Sequence, residues 1–315
     1  MTDTGGVDLD KPVNPPPRPV CPRHPERVSY LRCVGCGRPA CPDCQHPRAN
    51  GFECPDCVGS GDHGGSHASV VSGGDGVTEK GAAPRPIVTF VIAGLCTLVY
   101  ALQRFDPTVT NLGDFSAVAG YVQPWRFLTA AFLHSPDTIS HLLFNMMSLY
   151  AMGQFLEPFL GRARFVALYL LSALGGSVGY LLLLPALDYS DQASRMAWFG
   201  GMVGASGAVF GLFTAVFLVL RRVGSSVGGM VVLLAINLAL PFFYPNIAWQ
   251  AHLGGAVVGL VTAALLFATA APGRRRWTWP VLAVEAAVLV AAAAIKYGAN
   301  ARELDYILAL PIGMA

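Results

Sequence analysis

Beyond residue 86 the chain reads as one continuously apolar run after another, at about 87–103, 138–158, 164–184, 204–220, 226–243, 249–270 and 278–296. Each approaches the twenty or so residues that a helix needs to cross a bilayer. None alternates strictly as a membrane β-strand does, so the pattern predicts helices. The breaks between runs are charged, at Arg162 and Arg164, at Arg221 and Arg222, and at Arg274–Arg276. Seven membrane-spanning helices are expected, with Glu285 interrupting the last.

The first 86 residues follow another rule. Residues 1–20 carry five prolines and predict a disordered tail. Residues 21–57 hold seven of the eight cysteines, and 58–86 are rich in Gly, Ser and Asp, as a flexible linker is. The body divides into a six-helix core at 87–270 and a seventh helix with a tail at 271–315. Composition sharpens this split. The 315 residues are 53% hydrophobic and 13% charged, against about 25% charged in soluble domains. Nineteen of the 40 charged side chains fall before residue 87. A wholly soluble fold is excluded, and a net charge of +2 gives no reason to expect nucleic acid as a partner.

Orientation follows from Lys and Arg in the short connections. With the N-terminus inside, the inner flanks carry nine (Lys80, Arg85, Arg162, Arg164, Arg221, Arg222 and Arg274–Arg276) and the outer flanks five (Arg104, Arg126, Arg195, Lys296 and Arg302). The first residues contain no apolar stretch of a secretory signal. Both observations predict a cytosolic N-terminus, an outer C-terminus and a multi-pass protein of the plasma membrane.

The cysteines stand in pairs: Cys21-x2-His24, Cys33-x2-Cys36, Cys41-x2-Cys44 and Cys54-x2-Cys57. Eight soft ligands at two-residue spacing match two closed, four-coordinate zinc sites. An interleaved arrangement puts Cys21, His24, Cys41 and Cys44 on one ion and Cys33, Cys36, Cys54 and Cys57 on the other. Sequential pairing is the alternative, and His46 is a substitute ligand. The ions are read as structural, since some 40 residues are too few for an apolar core. This run resembles a B-box-type zinc finger, a resemblance that implies a protein partner.

Within the apolar runs, polar groups mark function. Three places stand out: Gly204-Ala205-Ser206-Gly207, Ala251-His252-Leu253-Gly254-Gly255, and His141-Leu142-Leu143-Phe144-Asn145. A serine becomes a nucleophile when a base lies within hydrogen-bond reach, and an imidazole is the usual base. His141 and Asn145, four residues apart on one helical face, offer two donors to a developing oxyanion. Gly207-x3-Gly211 follows the serine and Gly255-x3-Gly259 follows the histidine. Small residues at that spacing let membrane helices approach closely, as a Ser–His bond across helices requires. Among other polar residues, Glu157 is expected to pair with Arg162 or Arg164, Glu285 to face the bundle interior, and His134 to hydrogen-bond in a loop. Cys96 reads as an apolar packer.

In order along residues 90–270, Trp125-Arg126, His141-x3-Asn145, Gly204-x-Ser206-Gly207 and Ala251-His252-x2-Gly255-x3-Gly259 resemble the rhomboid family of intramembrane serine proteases. The resemblance implies a six-helix bundle with one added C-terminal helix, and no cofactor for catalysis. It implies a Ser–His dyad without an acidic third member. Ser206 is then nucleophile and His252 base, with His141, Asn145 and the Ser206 N–H lining the oxyanion hole. Phe210 stands where some members carry a Tyr packed on the histidine. Transmembrane proteins in the bilayer are the implied substrates, and the active site opens to the outer side beneath the segment Pro241–Pro245. The alternative is an inactive relative that binds membrane proteins. Its signature, loss of Ser or His, is absent. A transporter would show repeated halves with matching ionisable residues, and the sequence has none.

Overall fold

The computed structural model describes residues 19–48, 51–60, 85–240, 243 and 247–309. The tail up to residue 18, the linker from 61 to 84 and all of Pro241–Pro245 but Phe243 lie outside the described residues. The chain divides into two compact units, one on each side of the junction at Val70 and Val71.

The first unit is built from two short antiparallel ribbons. Strand β1 (Val20–Cys21) pairs with β2 (His24–Val28), and β3 (His46–Arg48) pairs with β4 (Gly51–Glu53). A helix, α1 (Pro55–Ser60), follows. Its buried apolar cluster is Cys21, Cys33, Ala40, Cys41, Cys44 and Cys54. Five of those six are cysteines, so sulfur stands where a larger domain would place leucine.

The second unit is helical. Seven helices rise at the predicted runs: α2 (Ile87–Phe105), α6 (Ile139–Leu160), α7 (Arg162–Leu183), α9 (Ser206–Arg222), α10 (Gly228–Ala239), α11 (Trp249–Ala268) and α12 (Thr278–Ala299). Among the described residues, four stretches are long and apolar enough to span a membrane: Ile87–Phe105, Arg162–Leu183, Trp249–Ala268 and Gly273–Ala299. The other three fall short for separate reasons. Helix α6 has the length, but His141, Asn145, Gln154 and Glu157 dilute it; α9 has 17 residues and α10 only 12.

The sequence pattern gave no sign of the short helices. These are α3 (Pro107–Gly113), α4 (Ala117–Val122) and α5 (Arg126–Thr129) between α2 and α6, α8 (Gln192–Phe199) after α7, and α13 (Ala301–Ala309) at the end. Local caps explain three of them. The side chains of Asp106, Ser116 and Asp191 accept from the N–H of Thr108, Ala119 and Ser194 at the starts of α3, α4 and α8.

Helices α7, α9 and α11 pack most extensively on one another. Glycines allow it. A methyl at Gly255 would overlap the Gly207 carbonyl, and one at Gly259 would overlap Gly211. A methyl at Gly179 would come within 2.6 Å of the Gly254 Cα. In a bilayer, where apolar burial drives no association between helices, such close van der Waals packing carries the fold. Thr214 adds a bond across the seam, its hydroxyl donating to the Ala256 carbonyl at 2.9 Å.

Candidate functional site

Ser206 is the first residue of α9, and the turn before it is shaped by glycine. Gly204 sits at φ +135°, a conformation that side chains avoid. A Cβ there would also come within 2.9 Å of the His141 ring. The Gly204 N–H donates to the Ala130 carbonyl at 2.9 Å, which pins the turn to the preceding loop. As the opening residue of a helix, Ser206 has a backbone N–H without an intrahelical acceptor.

The partner comes from α11, 46 residues on. The Ser206 Oγ and the His252 Nε2 lie 2.9 Å apart. Phe210, one turn below the serine, stacks on the His252 ring at 4.2 Å between centroids and 15° between planes. The imidazole thus has an aromatic backing that fixes its plane and supplies no hydroxyl. The Nδ1 of His252 is buried and has no hydrogen-bond partner. Among the described residues, no carboxylate reaches it.

On α6, His141 and Asn145 lie one turn apart. The Ser135 N–H donates to the His141 Nδ1 at 3.2 Å, which leaves the ring proton on Nε2. That Nε2 sits beside Gly204 and the serine hydroxyl. The Asn145 Nδ2 donates one hydrogen to the His141 carbonyl at 2.8 Å and keeps a second. Ser206, His252, His141, Phe210 and Gly204 therefore come together from three helices and one turn, with Gly207, Gly255 and Gly259 beneath them and Asn145 one turn along α6 from His141.

Trp125 and Arg126 belong elsewhere. Trp125 is exposed, its Nε1 donating to the Leu112 carbonyl at 3.4 Å. Arg126 is buried and binds the loop from within. Its guanidinium donates to the Asn111 and Asp114 carbonyls, the Asp114 carboxylate and the Gln123 side chain, all at 2.6–2.7 Å. It ties α3, α4 and α5 together.

Two other expectations are corrected. Both oxygens of Glu157 are turned to α2, accepting from the Val88 and Thr89 N–H groups and the Thr89 hydroxyl at 2.8–2.9 Å. The carboxylate caps a helix start 68 residues away. His134 is fully buried with neither ring nitrogen hydrogen-bonded. Its backbone is what Gln103 holds, with bonds of 2.9 and 3.0 Å. Glu285 does face inward, where its Oε1 accepts from the Thr262 hydroxyl at 2.9 Å.

In the first unit, Cys21, His24, Cys41 and Cys44 bring their ligand atoms within 4.8 Å of one another, and so do Cys33, Cys36, Cys54 and Cys57. The arrangement is interleaved, and His46 is in neither set. Sequential pairing is ruled out. The Sγ atoms of Cys36 and Cys54 are 3.7 Å apart, and the His24 Nδ1 lies 3.2 and 3.3 Å from the Sγ atoms of Cys41 and Cys44. A tetrahedral ion with metal–sulfur bonds of about 2.3 Å has edges of about 3.8 Å, so both clusters can hold a metal. Burial opposes ionisation of Cys36, but the Arg38 side chain and backbone N–H donors outweigh it and draw the thiol down to about 6. Asp56 pairs with Arg23 and Arg38 at 2.6 and 2.9 Å beside the second cluster.

The glycines of α7 were not singled out by sequence. Gly175, Gly176 and Gly179 meet Val258, Gly207 and Gly254, and their small-residue spacing is the signal that would have found them.

The Rhomboid domain family model matches residues 121–269. The rhomboid-family protein YdcA of Bacillus subtilis is 35% identical over 190 residues, covering 56% of this chain and 86% of its own. Rhomboid protease GluP of the same organism is 29% identical over 197 residues, 58% of this chain and 35% of its own. The mitochondrial Rhomboid protein 1 of Saccharomyces cerevisiae is 30% identical over 185 residues, 52% of this chain and 51% of its own. The chain thus spans most of the first relative and about a third to a half of the other two.

Proposed function

This chain is a multi-pass membrane protein of the rhomboid family, and from that premise we propose that it is an intramembrane serine endopeptidase cleaving transmembrane protein substrates through Ser206 and His252. The observation that carries this reading is the 2.9 Å separation of the Ser206 Oγ and the His252 Nε2. A half-buried hydroxyl joined to an imidazole is the arrangement general-base activation needs.

The steps follow from the geometry. The Ser206 Oγ attacks the scissile carbonyl carbon while its proton passes to the His252 Nε2. Negative charge gathers on the carbonyl oxygen, for which the His141 Nε2–H, the second Asn145 Nδ2–H and the Ser206 N–H are the donors. The C–N bond then breaks, and the leaving amine takes the proton from His252. Water, activated by the same imidazole, hydrolyses the acyl-enzyme. Phe210, stacked on the face of the imidazole, holds the orientation of the ring throughout.

Depth and side are part of the proposal. From Ser206 to Leu220, α9 rises roughly 22 Å, short of a hydrocarbon core of about 30 Å. With Arg221 and Arg222 at one interface, Ser206 falls several ångströms below the other. The arginine distribution supports a cytosolic N-terminus and a site opening to the outer face of the plasma membrane. The two cysteine clusters are assigned zinc, in structural roles, because thiolate and imidazole suit that ion, and the folded arm is assigned a protein partner.

The test is cleavage of a model single-span substrate by the full chain in vesicles. Ser206→Ala and His252→Ala should each abolish it, and the double variant should be no worse than either, since residues acting as a unit are non-additive. Substantial turnover by Ser206→Ala would overturn the assignment.

A further inference from the structure

The membrane body carries an arginine rim at the end of the bundle opposite Ser206, and we propose that this rim is a binding site for the phosphate headgroups of anionic phospholipids. It rests on membrane residence alone and is independent of the hydrolase reading.

The rim is formed by Arg221 and Arg222 at the end of α9 and by Arg274, Arg275 and Arg276 in the turn before α12. All five are exposed. Specific contacts hold them as one surface. The Arg222 guanidinium lies 5.3 Å from the Phe267 ring at the end of α11, and the Arg275 Nε donates to the Ala270 carbonyl at 3.3 Å. The Thr278 hydroxyl donates to the Thr269 hydroxyl at 3.0 Å, which closes the turn that presents the triplet. Arg276 stacks on Trp277 at 5.7 Å.

Three features name the ligand. The first is charge: no Asp or Glu occurs between Asp191 and Glu285, and among the described residues no carboxylate pairs with any of the five arginines. Glu157, at the same end, is spent on the start of α2. Five like charges at one rim repel each other unless an anion comes from outside. The second is side-chain type. Residues 87–315 contain one lysine, Lys296, whereas every member of the rim is arginine. Orientation in the membrane would be served by either residue, but only arginine presents a planar fork that meets a phosphate with two parallel bonds. The third is depth. Trp277 and Trp279 follow the triplet and are exposed, as tryptophans are at the level of the headgroups. A phosphate held at that depth belongs to a lipid.

The full chain is exchanged into mixed micelles holding equal phosphatidylglycerol and phosphatidylcholine, and retained lipid is counted by native mass spectrometry. Each arginine engaged at an anionic surface is worth roughly fivefold in partition, so phosphatidylglycerol should be retained at least fivefold over phosphatidylcholine. The preference should fall to near parity in R274Q/R275Q/R276Q and to an intermediate value in R274K/R275K/R276K, which keeps the charge and loses the fork. Added inorganic phosphate should not displace the lipid. Equal retention of both lipids by the unaltered chain would overturn the proposal whatever the variants do, leaving the rim to an acidic protein. A lysine variant equal to the unaltered chain would also overturn it, by reducing the site to bare charge. So would phosphate adducts without lipid preference, which mean a soluble-anion site.

Discussion

The two units fix a few polar side chains by opposite means. In the small arm, eight ligands come from four short knuckles within 37 residues, and the buried cluster consists of five of their sulfurs with Ala40. In the membrane body, the Ser206–His252 contact joins residues 46 apart in the chain, and it exists because glycines let α7, α9 and α11 touch backbone to backbone. The arm needs ligands and tolerates sparse packing; the body needs packing and holds its polar pair as a consequence. Damage to either should therefore stay where it is made.

The largest effect should come from the glycine seam. Gly255→Leu drives a side chain into the Gly207 carbonyl, an overpacking that costs at least 1–3 kcal/mol by the usual scale, with rigid backbone on the far side. It should abolish cleavage and lower the thermal midpoint of the body, while metal analysis still finds two ions per chain. Loss of metal in this variant would mean that the units are coupled.

Cys41→Ser makes the converse cut. It removes one ligand of the first cluster, so bound metal should fall from two ions to one or none, and the arm should become sensitive to protease. The rate of substrate cleavage should stay within about twofold, because no ligand of the arm belongs to the dyad. Loss of cleavage with the body still folded would make the arm an obligatory activator.

A smaller effect is expected at Asn145. Removing one oxyanion donor costs about 10²–10³ in rate in soluble hydrolases, and here the His141 Nε2–H and the Ser206 N–H remain. Asn145→Ala should slow turnover by tens-fold and leave the reaction of Ser206 with a small covalent probe unchanged. An unaltered rate would remove Asn145 from the site. Smallest of all, Glu285→Gln keeps an oxygen for the Thr262 hydroxyl and should shift stability by about 1 kcal/mol or less, read from the thermal midpoint of the body. A large loss would mean that the carboxyl group itself locks α12 in place.

The comparison also explains what the sequence disclosed. Ligand pairs at Cys-x2-Cys spacing are local, so all eight could be named, although only the fold decides that Cys21 shares a site with Cys41 instead of Cys33. Ser206 and His252 were legible because each is followed by a glycine pair four residues apart. The role of Arg126 was not, since its partners are mainly carbonyls and side chains of the loop from Asn111 to Gln123, which no periodicity marks. Glu157 misled for a related reason. Nearby arginines suggested an ion pair, while the start of α2 lay closer in space. His134 misled too, because a loop histidine suggests a polar contact and this one is enclosed beside His141. The seam glycines of α7 carry no such mark, because no reactive residue stands next to them.

The central claim is that Ser206 is a nucleophile made reactive by His252. The most direct test treats the full chain in membranes with a fluorophosphonate probe and locates the adduct by mass spectrometry, beside Ser206→Ala and His252→Ala. A single adduct on Ser206 is expected, absent from the first variant and slowed by at least a hundredfold in the second. An undiminished rate of labelling in His252→Ala, or an adduct on any other serine, would contradict it.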